Sequence, residues 1–274
     1  MALLTTAWPE KSTREDGRSP REMPYRFVKR ALDIVVSAVA LILLLPLMLI
    51  IAVAIPLETR GPIFYSQERV GMNRRRRPPR SMNGGERRRR PACGELFRIY
   101  KFRSMVTDAE RGTGAVWATS RDPRVTRLGQ FLRRTHLDEL PQFFNVLKGE
   151  MSVVGPRPER PEIVERLAPQ IPGYPDRVTV LPGITGLAQV AHCYDTSLQT
   201  AARKLQYDLY YIRFASLLLD VKIMAATMLV MVRAEEGEDQ VPSRDVPLLG
   251  QQDTARIGTG SHGISARASQ ESAP

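Results

Sequence analysis

Hydrophobic and polar positions divide the chain sharply. From Ile34 to Leu57 twenty-four residues, IVVSAVALILLLPLMLIIAVAIPL, pass without a charge. As a helix rising ~1.5 Å per residue, such a run is long enough to cross the ~30 Å hydrocarbon layer of a bilayer, so a membrane segment is expected. Pro46 stands in the middle of the run. A proline there removes a helical hydrogen bond and kinks or breaks the helix. Two arrangements compete: a kinked helix that spans, or two short halves that return to the face they entered from. Arg26, Lys29 and Arg30 precede the run, and Arg60, Arg69 and Arg74 to Arg77 follow it. Both flanks carry the positive bias of cytoplasmic loops, and a single span would put one of them on the other side.

Beyond this run the period shortens. GPIFYSQERVG (Gly61 to Gly71) reads as a strand entered from a Gly-Pro turn, and LFRIYKFRSM (Leu96 to Met105) alternates apolar and basic residues as a half-buried strand does. The two are expected to pair as a hairpin. Leu140, Phe143, Phe144 and Leu147 fall at i, i+3, i+4 and i+7, which predicts a helix with one apolar face. Pro141 restricts where it starts. With Asp138 as N-cap, the proline takes the third helical position, where its missing N–H is no loss; a start at Thr135 would need that N–H.

MSVVGPRPERPE (Met151 to Glu162) predicts a short strand and then a proline-stiffened loop holding Arg157, and LPGITGLAQV (Leu181 to Val190) predicts a Gly-rich turn. Thr200 to Tyr211 reads as an amphipathic helix. Leu217 to Val232, apolar except for Asp220, Lys222 and Thr227, is short for a span at 16 residues, which leaves an interfacial helix and a core helix as its two readings. Residues 1–24 lack the basic start and apolar core of a secretory signal, and 234–274 are polar and rich in Gly and Ser. Both are expected to be disordered.

Charge is unevenly placed. Lys and Arg outnumber Asp and Glu by 40 to 29, for a formal net charge of +11. Nine arginines against the single acid Glu86 between Arg74 and Arg90 supply +8 of it. This insertion, spanning 73–93, has no apolar period and is interrupted by Pro and Gly. Beside a membrane segment it points to anionic headgroups, worth ~1 kcal/mol per basic residue near the surface, and no nucleic-acid partner is expected because no RNA-binding aromatic motif accompanies it. Cys93 and Cys193 are the only cysteines, too few for a disulfide framework or a Cys-rich zinc site. Of the three histidines only His136 stands near a candidate site.

That site is THLDELPQ, where Asp138 and Glu139 stand side by side after Arg133 and Arg134. Adjacent acids at a helix start commonly complement the helix dipole. The surroundings offer a second reading. A carboxylate nucleophile acting on phosphorus needs cations to offset the repulsion between two anions, and usually a divalent metal. Arg133, Arg134 and Arg157 supply cations, and Lys101 and Arg103 on the KFR strand add two more phosphate-binding candidates.

The segments KRALDIVVSAVALILLLP, GPIFYSQERVG, IYKFRSM, DPRVTRLGQFLRRTHLDELPQFFNVLKGEMSVVGPRP, PGITGLAQV and YDLYYIRFASLLLDVKIM follow one another between Phe27 and Val232. In order and spacing they resemble the bacterial sugar transferases, the polyprenyl-phosphate phosphoglycosyl transferases in their small monotopic form. The resemblance implies an α+β, mostly helical protein of the bacterial inner membrane. A re-entrant helix-break-helix over 25–60, broken at Pro46, would anchor it. A compact catalytic domain over 61–233, with a small β-hairpin and interfacial helices, would face the cytoplasm.

It further implies transfer of a sugar-1-phosphate from a nucleoside diphosphate sugar, expected to be a UDP-sugar, to undecaprenyl or a related polyprenyl phosphate, with Mg²⁺. Asp138 matches the nucleophile that forms a phosphosugar-enzyme intermediate. Glu139 matches the neighbouring carboxylate, assigned to acid/base assistance or to metal positioning with Asp138. Arg133 and Arg157 match phosphate-binding residues. The insertion 73–93 departs from the family pattern. Two alternatives remain: a membrane-anchored adaptor acting through the arginine-rich segment, and an inactive scaffold for polysaccharide assembly.

Overall fold

The computed structural model describes residues 22–73, 94–107, 109, 122–191 and 197–233. The expected leader up to residue 21, the arginine segment 74–93 and the tail 234–274 lie outside them, as do Cys93, His192, Cys193 and His262.

Helix α1 (Glu22–Glu58) runs 37 residues, about 55 Å at the ordinary rise per residue. It passes through Pro46 and Pro56 without interruption, so the expected break into two halves does not show as a change of secondary structure. Each proline forfeits one intrahelical bond. The Leu/Ile/Ala-rich turns on either side keep theirs, because an apolar segment has nothing else to satisfy its backbone. Only 17% of its most apolar stretch is buried in the protein. Ile42, Leu43, Ile50 and Leu57 are exposed, while Met48, Ile51 and Ile55 are buried against Phe102, Leu132 and Leu140.

The expected hairpin forms. Strand β1 (Phe64–Val70) pairs antiparallel with β2 (Leu96–Phe102), setting Phe64 opposite Phe102 and Tyr65 opposite Lys101. Helix α2 (Arg127–Arg134), capped by the Thr126 side chain, has no counterpart in the expectations. Helix α3 (Gln142–Lys148) follows, ending at Gly149 with φ of 80°. That left-handed backbone suits a glycine.

Strand β3 (Ser152–Val154) precedes helix α4 (Pro161–Leu167) and pairs in parallel with β4 (Gly183–Thr185). The expected Gly-rich turn at 181–190 is therefore a strand followed by the short helix α5 (Leu187–Val190). A Cβ at Gly155 would collide with the Leu181 carbonyl oxygen, so the two segments approach closely only because that residue is glycine. Helix α6 (Leu198–Phe214) opens with a reciprocal Ser197–Thr200 capping box, and α7 (Leu217–Arg233) closes the described chain. α7 combines its two expected characters: Ile223 is buried in the core with Val154, Leu187 and Tyr211, while Leu218, Val221, Met228 and Leu229 are exposed.

Polar contacts fix α1 to this body near its start. Asp33, 3% exposed, accepts from Val153 N at 2.9 Å and Ser152 Oγ at 3.0 Å. Tyr25 and Lys29 both donate to Asp220 of α7, and Arg30 donates to the Val146 and Leu147 carbonyls that end α3. Near the other end of α1, Arg103 donates to the Thr59 and Arg60 carbonyls.

Candidate active site

The dyad sits in a tight turn. α2 ends at Thr135, and His136 takes a positive φ of 56°, rare for a residue with a side chain. Leu137–Glu139 then form one turn of 3-10 helix, with Glu139 N bonded to His136 O at 3.1 Å and Leu140 N to Leu137 O at 3.3 Å. Asp138 was expected to be the N-cap of α3, but Pro141 holds that place. Pro141 bars one alternative, a helix running on through this turn. An α-helix running on from Leu137 would bond the Leu137 carbonyl to the N–H of residue 141, and proline has none. Leu140 takes that carbonyl instead, and α3 begins afresh after the proline.

This turn points both acids inward, with Asp138 6% and Glu139 9% exposed. Their environments differ. Arg157 donates to both Glu139 oxygens, at 2.5 Å and 3.2 Å, and Lys101 Nζ adds a third contact at 2.6 Å. Asp138 has only Lys101, at 3.9 Å from Oδ2, and accepts no hydrogen bond among the described residues. Burial raises the pKa of Asp138, with Glu139 adding to it and Lys101 opposing. Burial also works to raise Glu139, but Arg157 and Lys101 overcome it and hold that carboxyl well below the usual range. Two neighbouring carboxyls thus have their affinities for protons driven apart.

Lys101 and Arg157 are each positioned by neighbours that make no hydrogen bond to the dyad. Asn145, fully buried, donates to Arg98 O at 2.7 Å and accepts from Tyr100 N at 3.1 Å. Its amide plays the part of a neighbouring strand along the open edge of β2. That sets the next residue, Lys101, against the dyad. Arg157 stands on the loop after β3, whose backbone is held from three sides. Arg177 donates to Arg157 O at 3.0 Å, Arg69 donates to Pro158 O at 3.1 Å, and Val70 N bonds Glu159 O at 2.9 Å. Arg177 is itself seated on Asp208 at 2.8 Å, and Lys204 of α6 meets Glu159 at 2.5 Å. Spacing within MSVVGPRPERPE gives no sign of these partners, because they come from β1, α6 and the turn at 174–179.

A cavity of about 740 Å³ opens over the dyad. All six expected site residues line it: Lys101, Arg103, Arg133, Asp138, Glu139 and Arg157. Their free capacity differs. Arg103 spends both terminal nitrogens on Thr59 and Arg60, so it braces the end of α1 beside the cavity. Arg133 uses Nε on Ser104 Oγ at 2.9 Å. Sequence reasoning passed over Asp122 and Arg124, which line the cavity as a tight pair, with Arg124 Nη2 2.6 Å from Asp122 Oδ2. The DPR run in which they stand is the signal that held them. His136 is exposed at the rim, and Arg134 is exposed outside the lining. Among the described residues no group of three or more His, Cys, Asp or Glu side chains converges as a metal-ligand set.

Residues 24–234 match the family model described as bacterial sugar transferase. The chain belongs to this family. It is 44% identical over 204 residues to a UDP-N-acetylgalactosamine-undecaprenyl-phosphate N-acetylgalactosaminephosphotransferase of Aeromonas hydrophila, covering 74% of this chain and 43% of that protein. A putative undecaprenyl-phosphate N-acetylgalactosaminyl 1-phosphate transferase of Bacillus subtilis is 45% identical over 160 residues, or 58% of this chain and 78% of the relative. An exopolysaccharide production protein of Rhizobium leguminosarum is 37% identical over 218 residues, or 77% and 98%. The chain therefore spans less than half of the first of these relatives and nearly all of the last.

Proposed function

We propose that the chain transfers a sugar-1-phosphate from a nucleoside diphosphate sugar, a UDP-sugar by its relatives' names, to a polyprenyl phosphate. The product would be a polyprenyl diphosphate sugar, with UMP released, as an early membrane step of exopolysaccharide or related glycoconjugate synthesis. The observation that carries this reading is the freedom of one acid. Of the three carboxylates lining the cavity, Glu139 is clamped by Arg157 and Lys101 and Asp122 by Arg124, while Asp138 accepts no hydrogen bond among the described residues.

An Asp138 oxygen attacks the sugar-bearing phosphorus of the donor. The bond from that phosphorus to the bridging oxygen breaks, and the nucleoside monophosphate leaves with the oxygen and its electron pair. A phosphate oxygen of the polyprenyl acceptor then attacks the same phosphorus, and the aspartyl oxygen departs as carboxylate. Lys101, Arg133 and Arg157 offset the charge that collects on the phosphate oxygens. Glu139 keeps Lys101 and Arg157 oriented, which gives it an electrostatic and positioning role.

The family's Mg²⁺ would supply Lewis acidity at the diphosphate. Magnesium takes one or two carboxylates and leaves its other positions to water and phosphate. Asp138 fits that demand with the lone pairs it has uncommitted, whereas the oxygens of Glu139 are already engaged.

For membrane placement we read α1 as re-entrant, with both ends on the cytoplasmic face. Tyr25, Lys29 and Asp33 near its start and Met48, Ile51 and Ile55 near its end all meet the same globular body. A helix crossing upright would carry one end ~30 Å away from that body. The basic segment 74–90 is assigned to anionic headgroups. Asp138→Asn tests the chemistry: it should abolish both UMP release and the labelled sugar-phosphate adduct seen by mass spectrometry of wild-type enzyme quenched in turnover. Retention of both would remove Asp138 as nucleophile.

A further inference from the structure

We propose that Phe64 binds the isoprenoid chain of the acceptor where it enters the cavity, an assignment that rests on the transferase reading above. In the β1–β2 register, Tyr65 stands opposite Lys101 and Gln67 opposite Ile99, so this face of the hairpin is turned to the dyad. Phe64 and Phe102 share the other face, their rings 5.4 Å apart and stacked. Phe102 is buried with Met48, Ile51 and Ile55 of α1, but Phe64 is 51% exposed.

Both rings nevertheless line the same cavity as Lys101 and Asp138. At this end of the hairpin the wall therefore changes from cationic to aromatic. The aromatic corner adjoins the stretch of α1 whose Val53 and Leu57 are 61% and 81% exposed. A single exposed phenylalanine is ordinary on a protein surface. One that lines a cavity beside a lipid-facing helix joins two environments. The acceptor needs both: its phosphate must reach Asp138 while its tail stays in hydrocarbon, and a path meeting both conditions passes Phe64. The donor, a soluble nucleotide, has no use for the corner.

The test uses full-length protein in nanodiscs, comparing wild type, Phe64→Ala and Phe64→Leu. UMP release on mixing with donor alone reports attack by Asp138 and should keep its wild-type rate in both variants. The KM for undecaprenyl phosphate should rise about tenfold in Phe64→Ala, the scale set by losing most of one buried aromatic contact, and Leu should restore most of it. An unchanged acceptor KM overturns the proposal, and so does a donor-only rate that falls as much as overall turnover. Vesicle flotation in which Phe64→Ala loses membrane binding in step with the KM overturns it too, by making the ring a membrane anchor. Should wild-type enzyme release no UMP without acceptor, the covalent route fails, while the acceptor KM still decides the role of Phe64.

Discussion

Arg157 holds Glu139 by both carboxylate oxygens, at 2.5 Å and 3.2 Å, in the parallel-fork geometry that lysine cannot reproduce. The same guanidinium lines the cavity, so in the proposed reaction it would serve the incoming phosphate and the dyad together. Arg157→Ala should lower the rate of UMP release by ~10²- to 10³-fold, as expected for loss of a preorganised anion-stabilising group. It should also lower unfolding free energy by ~1–3 kcal/mol, because Glu139 keeps only Lys101. Arg157→Lys should fall between, with most of the stability and little of the rate. UMP-release assays and denaturant melts of detergent-solubilised protein check this, and a wild-type rate for Arg157→Ala would remove it from phosphate binding.

Opposite shifts at Asp138 and Glu139 predict how pH acts. The proposed attack requires ionised Asp138, whose pKa is raised by burial. UMP release should therefore rise with pH through a value above the ordinary aspartate range and then level off. Glu139, held well below that range, should add no second limb near neutrality.

Stability carries the same signs. The depressed pKa of Glu139 means that its contribution is full above the unfolded-state value and is lost as pH falls through the folded one. Asp138 acts in reverse: its pKa is raised on folding, so stability is lost as pH climbs from the unfolded-state value through the folded one. Asp138→Asn should thus be inactive yet at least as stable as wild type at pH 7, with any gain shrinking in acid. Thermal unfolding over a pH series measures this; a clear loss at pH 7 would mean that the carboxylate stabilises the fold.

Much of this was legible in the chain because its strongest signals are local. The charge-free run, the alternation of LFRIYKF and the i, i+3, i+4, i+7 spacing after Leu140 gave α1, β2 and α3. Three-residue strands carry no such period: β4 needs Gly155 to come within reach of Gly183, a relation between segments far apart in sequence. The start of α3 was misplaced because the 3-10 turn at Leu137 and a helix capped by Asp138 satisfy the same backbone groups, and only tertiary packing chooses between them. Lys101, Arg103, Arg133 and Arg157 were picked out as cations and do line the cavity, but Arg69, Arg124 and Arg160 beside them were not, and whether each cation was committed elsewhere could not be read from spacing. Arg103 looked like Lys101 in KFR, yet it is committed to the carbonyls ending α1.

The buried ions behind Arg157 predict a defect in binding. Arg177, 6% exposed, bridges Asp208 and the Arg157 carbonyl. Arg177→Met strands Asp208 and weakens the seat of Glu159, so it should destabilise by ~3–5 kcal/mol, the usual result of removing one partner of a buried pair. Arg177→Lys keeps the charge but cannot reach Asp208 and the carbonyl at once. It should fold, and raise KM for the donor several-fold with a smaller change in kcat, because Arg157 is displaced but still present. Steady-state kinetics over donor concentration separate the two effects, and a kcat loss at constant KM would contradict the positioning role.

Asp33 offers a test of how α1 and the site are joined. It is a carboxylate in an otherwise apolar stretch of α1, buried, and it accepts from Val153 N and Ser152 Oγ of β3. β3 leads directly into Gly155 and Arg157, so α1 and the loop that carries Arg157 share a strand. Asp33→Leu makes α1 more apolar and should leave membrane association intact. It strips two donors of their acceptor, at ~1–3 kcal/mol for each group left buried and unpaired. Unfolding midpoints should drop accordingly, with UMP release falling alongside, while Asp33→Asn, which keeps an acceptor oxygen at the same position, should recover much of both. If Asp33→Leu sediments with membranes and releases UMP at the wild-type rate, α1 is an anchor alone and the strand it grips does not set the geometry of Arg157.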